Sequence, residues 1–141
     1  MTSFLYNSAK LRILQRAFDF ANDDFKVALV TAAYAPDKDA HEFFADIDNE
    51  VSGAGYTAGG KALENIVLSQ DDSNDRAVLD ADDLAWSVAS FTARAAVIYK
   101  DTGAAATSPL LAYVDFEEDL EATGEDFLLL WHEDGIVALG E

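Results

Sequence analysis

The chain has 141 residues, half of them apolar, no cysteine, and a formal net charge of −18. That length suits one domain with a sizeable core. The missing cysteine excludes disulfides and thiolate metal sites, and the charge repels nucleic acid and anionic membrane surfaces. The charge is uneven, with residues 1–36 at +1 and the remainder at −19. Solubility or a salty habitat accounts for this first, and a solvent-facing protein kept off DNA is the functional alternative.

Lys10, Arg12 and Arg16 follow the first apolar residues rather than precede them, so no signal peptide is expected and a cytosolic product is. No apolar run approaches the roughly 20 residues that cross a bilayer. Thr2 or Ser3 can cap a helix that starts near Phe4, giving an N-terminal helix over residues 1–20. Ser8, Arg12, Gln15, Arg16 and Asp19 form its polar stripe, and apolar residues fill most of the rest. That arc is wider than one sheet face requires, so the body wraps the helix or a second subunit covers it. Phe4, Tyr6, Lys10, Arg12, Leu14 and Arg16 are therefore the candidate contact residues for a subunit or shell neighbour. Arg12 and Arg16 are suited to pair with the acidic body of an adjacent copy.

Asn22-Asp23-Asp24 reads as a turn and Phe25–Thr31 as a buried strand, ended by Pro36-Asp37. Ala40–Ile47 suits one or two helical turns anchored by Phe43 and Phe44. Val51–Gly60 is glycine-rich and extended. Ala62–Leu68 is expected as a strand, Asp71–Asp75 as a turn, and Arg76–Leu79 and Leu84–Ser87 as short strands. Phe91–Tyr99 mixes β-branched and aromatic residues and is the strongest strand. Leu110–Phe116 is another, followed by an exposed acidic connection at Glu117, Glu118, Asp119 and Glu121. Phe127–His132 and Ile136–Leu139 are expected to pair as a terminal hairpin. Many short strands punctuated by turns predict a mainly β fold, a single antiparallel β-sandwich-like domain with an N-terminal α-helix. One unit spans residues 1–141, its β-rich body over 25–141.

Candidate chemistry is sparse. His41 and His132 lack partners that would make them metal ligands or general bases. Glu117 and Glu118 form a carboxylate pair, but in a solvated run rather than a cleft. Asp71, Ser73, Asp75 and Asp82 follow calcium-loop spacing, yet Arg76 stands where the turn needs glycine, and Asp82 replaces the closing Glu. A polar turn fits better. Gly53, Gly55, Gly59 and Gly60 lack the Gly-Lys-Ser/Thr of a phosphate loop. Trp86 and Trp131 fit core or interface filling before a sugar site. No catalytic residue, cofactor or metal is expected, and the chain reads as non-enzymatic.

Several segments together carry a likeness. They are Leu5–Lys10, Lys26–Thr31 with Tyr34 and Pro36-Asp37, and Asn49–Gly60 with its Glu-Val-Ser-Gly-x-Gly-Tyr-Thr-x-Gly-Gly pattern. Asp80-Ala81-Asp82-Asp83 with Trp86, and Ala96–Asp101, complete it. Their order resembles a family of small virion structural proteins of tailed bacteriophages and prophages, across nearly the whole chain. The Phe116–Phe127 stretch departs from it, being far more acidic than the Gly/Ser/Asn-rich loop of such proteins. The resemblance implies a virion component made in the host cytoplasm, with head or tail left open. A capsid decoration or cement protein on the outer shell is the leading expectation. It would bind the major capsid protein or other virion proteins in many copies or as a homo-oligomer, and neither nucleic acid nor membrane. A tail, neck or fibre-base component is the alternative, and a host-receptor or glycan-binding module is the alternative of another class.

Overall fold

The computed structural model describes residues 3–140. In chain order its elements are β1 (Phe4–Leu5), α1 (Asn7–Leu14), β2 (Phe25–Val30), β3 (Lys61–Ala62), β4 (Val67–Asp71), β5 (Arg76–Asp80), β6 (Leu84–Lys100), β7 (Leu110–Leu129) and β8 (Val137–Gly140). The strands form two antiparallel sheets, one of five strands in the order β1-β7-β6-β2-β3 and one of three in the order β4-β5-β8. With the single N-terminal helix this is the mainly β, sandwich-like architecture that the residues predict.

The centre of the large sheet is buried on both faces. Val27, Ala28 and Leu29 of β2 lie opposite Ile98, Val97 and Ala96 of β6, and all six are wholly buried. Strands covered on both sides are near-continuous apolar runs rather than alternating ones, which is how Phe25–Val30 and Ala95–Tyr99 read. Phe20 stacks on Phe25 at 5.1 Å, and Phe44 stacks on Tyr99 at 4.1 Å. The small sheet leaves an apolar cavity of about 140 Å³ against α1 and β7, lined in part by Ile13, Phe20, Leu68, Leu111 and Leu139.

Several local expectations are corrected. The N-terminal helix covers only Asn7–Leu14, because Phe4 and Leu5 pair with Tyr113 and Ala112 at the edge of β7. Ser3 does not cap the helix; its Oγ accepts the Asp115 amide at 2.9 Å. Thr2 lies outside the described residues. The helix ends at Leu14, and two residues on, Arg16 sits at φ 59°. There the Arg16 and Ala17 amides reach back to the Ile13 and Arg12 carbonyls at 3.1 and 2.9 Å, closing the last turn. Residues 40–47 hold only a 3₁₀ turn at Phe44–Asp46.

The expected strand over Ala62–Leu68 is broken in two at Asn65, which has φ 56°. Leu84–Ser87 and Phe91–Tyr99 are one strand, β6. The acidic run after Phe116 is no connection between strands. It is a bulge inside β7: Ala93 pairs with Leu120 and Ala95 with Asp115, so Arg94 alone opposes Phe116–Asp119. The terminal hairpin does not form. After the turn at Glu133-Asp134, β8 crosses to the small sheet and pairs with β5, Val137 opposite Leu79.

Candidate functional site

The six candidate contact residues divide by exposure. Tyr6 is wholly buried, and its hydroxyl bonds that of Tyr34 at 2.9 Å. Phe4 is half-buried and stacks on Tyr113 at 5.3 Å. Arg12 is turned inward: its guanidinium lies 4.7 Å from the centre of the Phe43 ring, with Nη2 3.7 Å from Glu42. These three side chains serve the chain's own packing. Lys10, Leu14 and Arg16 are exposed, and Leu14 is 83% accessible. Leu11, which was not among the candidates, joins them at 57%. The contact-competent part of the segment is therefore the outer side of α1 with its last turn.

A second surface lies at the far end of the β6–β7 hairpin. Phe127 and Leu129 point into the core, so Leu128 and Leu130 project outward and are 56% and 65% exposed. Beside them Val88 is 69% exposed and has φ 48°. A β-branched residue rarely adopts that conformation, at a cost of about 1–3 kcal/mol. A shift of register between Trp86 and Ala89 forces it. The Val88 amide approaches Asp126 Oδ1 at 3.3 Å, which sets Val88 next to the outward side of β7. Hydropathy gives no warning of this surface, because Leu128-Leu129-Leu130 reads as an ordinary buried strand. On the small sheet Leu68 and Leu139 are exposed where they open onto the apolar cavity, and Val67 is exposed on the opposite face.

The glycine-rich segment proves to be a clasp over the large sheet rather than a phosphate cradle. Glu50 Oε2 accepts the Tyr56 hydroxyl at 2.5 Å and the Gly59 amide at 2.7 Å. The Tyr56 oxygen in turn accepts the Leu29 amide at 3.0 Å, and the Tyr99 hydroxyl donates to the Gly59 carbonyl at 2.6 Å. A side chain at Gly55 would lie 2.9 Å from Ala89 Cα, so this backbone seats directly on β6. The glutamate, tyrosine and glycines of the pattern thus act together, and what they hold is the fold.

The remaining candidates are placed as follows. His41 Nδ1 meets the Tyr34 hydroxyl at 2.8 Å, extending the Tyr6–Tyr34 pair to the surface. His132 is exposed beside Asp134 at 3.5 Å. Glu117 and Glu118 are exposed on the β7 bulge. Asp71 serves its own turn: hydrogen bonds from Asn74 and then Arg76 hold its carboxyl below the usual range. Among the described residues, no three His, Asp or Glu side chains are grouped to hold a metal ion. Trp86 is only 2% exposed, edge-on to Phe127. The half-buried Trp131 donates Nε1 to the Asp82 carbonyl at 2.9 Å.

The five tyrosines share one electrostatic consequence. Burial raises every hydroxyl pKa, Tyr34 to about 12 and Tyr6, Tyr56 and Tyr99 beyond it; Asp115 adds to burial at Tyr113. The folded state therefore resists an ionisation that the unfolded chain undergoes near pH 10. Stability from this source is complete below about pH 10 and is lost as pH rises through 12. In an alkaline titration, tyrosinate absorbance near 295 nm is expected to rise together with loss of β circular dichroism. Absorbance that rises fully while the fold persists would contradict the burial assigned to these hydroxyls.

No helix among the described residues is long and apolar enough to cross a membrane. No protein-family model, no curated protein and no solved structure matches the chain.

Proposed function

We propose that this protein is a non-enzymatic structural component of a tailed-bacteriophage virion, a decoration or cement protein bound to the outer face of the capsid. The observation that carries the reading is the distribution of exposed apolar side chains. A domain this small, with a net charge of −18, presents them on three separate elements: α1, the end of the β6–β7 hairpin and the small sheet. Scattered single exposed apolar residues need no explanation, but grouped ones mark contact surfaces. A subunit that cements a shell touches more than one neighbour, and several contact surfaces serve that role. The acidic body also suits a position on the side of the shell away from packaged DNA.

The test is the copy number in purified particles of the virus that encodes the chain, by quantitative mass spectrometry against the major capsid protein. Copies on the order of hundreds per particle, following the shell's symmetry, are expected. About a dozen or fewer would assign the protein to the tail or neck instead. Its absence from particles would end the virion reading.

A further inference from the structure

Two of the exposed surfaces match each other. The outer side of α1 is apolar at Leu11 and Leu14 and basic at Lys10 and Arg16, with Asp39 and Glu42 flanking it beside Leu11, and it belongs to the only net-positive stretch of the sequence. The end of the β6–β7 hairpin is apolar at Val88, Leu128 and Leu130. It is rimmed by the exposed carboxylates Asp83, Glu125 and Asp126. Beyond Lys100 the chain carries no lysine or arginine at all, against eleven acidic residues. Lys61 also lies at this end, but its ammonium is bonded to the Ala85 carbonyl and sits over the Trp86 ring.

The two surfaces cannot meet within one copy. The Lys100 ammonium, at the turn end of the hairpin, holds the Ala17 carbonyl just beyond α1 at 3.1 Å. Leu84 and Leu129 pair at the opposite end of the same hairpin.

We propose that α1 of one copy docks on the hairpin end of the next, with Leu11 and Leu14 against Val88, Leu128 and Leu130, and Lys10 and Arg16 against the acidic rim. The occupant is a second copy because this chain itself carries both halves of a basic-on-acidic, apolar-on-apolar match. The contact is heterologous: each copy keeps one free surface of each kind, so subunits add head to tail and form a ring or an open chain. Mutual repulsion of two acidic bodies is screened beyond about 8 Å at physiological ionic strength, whereas charges across the contact lie within that distance. The surfaces are small, so the contact is weak in solution, with a dissociation constant on the order of 100 μM. Attachment of neighbouring copies to a common scaffold would raise its occupancy through effective concentration. The inference is independent of whether that scaffold is a capsid, and its test needs no virion.

Sedimentation velocity of the full chain in about 0.15 M salt, from about 10 μM to about 1 mM, reads the association. Wild type is expected to grow with concentration into dimers and longer species. Leu14→Asp and Leu128→Asp are each expected to remain monomeric with unchanged circular dichroism, since both positions are exposed. Their equal mixture is expected to form dimers and nothing larger, because each variant retains one intact surface. Lys10→Glu/Arg16→Glu should behave as Leu14→Asp does, including dimerisation with Leu128→Asp, and it replaces that variant if the helix fails to fold. A wild type that stays monomeric throughout overturns the proposal. So do single variants that associate like wild type, or complementary mixtures that yield no dimer.

Discussion

Gly60→Ala is expected to cost about 4 kcal/mol or more, enough to remove most of the stability of a small domain. Gly60 sits at φ 82°, where an added side chain is strained whatever the space around it. Here there is no space. A Cβ would overlap the Val27 carbonyl oxygen and lie 2.8 Å from Ala28 Cα, both wholly buried residues of strand β2. Backbone cannot move aside as a flexible side-chain end can. Relief requires the clasp to lift, and the Glu50–Tyr56–Gly59 bonds then open onto a buried strand. Gly103→Ala is the control: its φ is 92°, but nothing lies within 4 Å of the added carbon. It is expected to cost about 1 kcal/mol. Urea denaturation of the two variants measures the contrast. Equal midpoints would mean that the 50–60 segment does not seat on β2 as described.

Trp86→Ala is expected to destabilise by about 3–5 kcal/mol. The side chain is among the largest that are wholly enclosed, and it packs against Phe127 at 6.0 Å and Tyr56 at 6.3 Å. Truncation leaves a cavity where the clasp, β6 and β7 meet, and those three elements cannot all collapse inward. Trp86→Phe is expected to cost clearly less, about 1–2 kcal/mol. Most of the ring contact survives, and the indole Nε1 that is lost has no hydrogen-bond partner among the described residues. Thermal or urea denaturation reads both. A Trp86→Ala variant with wild-type stability would release this tryptophan from the core and return it to the glycan-binding reading.

Parts of this architecture are legible from local chemistry alone. Runs of β-branched and aromatic residues identify β2 and the second half of β6, and the short apolar run between the Asp75 turn and the acidic kink at Asp80 marks β5. Asp71–Asp75 reads as a turn because Asp and Asn side chains bond nearby backbone, as Asp71 Oδ1 does in accepting the Asn74 amide at 3.3 Å. The mainly β class follows from the number of such segments, and the absence of cysteine, the acidity and the +1 N-terminal stretch are properties of composition. These signals depend on neighbours a few residues apart, so the chain carries them wherever it folds.

Long-range pairing decided the rest. Phe4 and Leu5 continue a helical pattern, but the free edge of β7 offers them a ladder, and the helix begins only at Asn7. Glu117–Asp119 have the polarity of a loop, yet Leu120 and Ala122 resume pairing with β6, so the acidic residues are expelled as a bulge. Ile136–Leu139 is an apolar run placed after a turn like the second arm of a hairpin, but β5 provides the partner edge. The two surfaces assigned to self-association have the same origin. Leu14 looks like core on a helical wheel and is 83% exposed because the helix ends beside it; Leu128 and Val88 face outward because of pairing register and a bulge. Residue type determines whether a side chain favours burial, but which side of a strand is covered depends on partners many residues away. That choice exists only once the sheets have assembled.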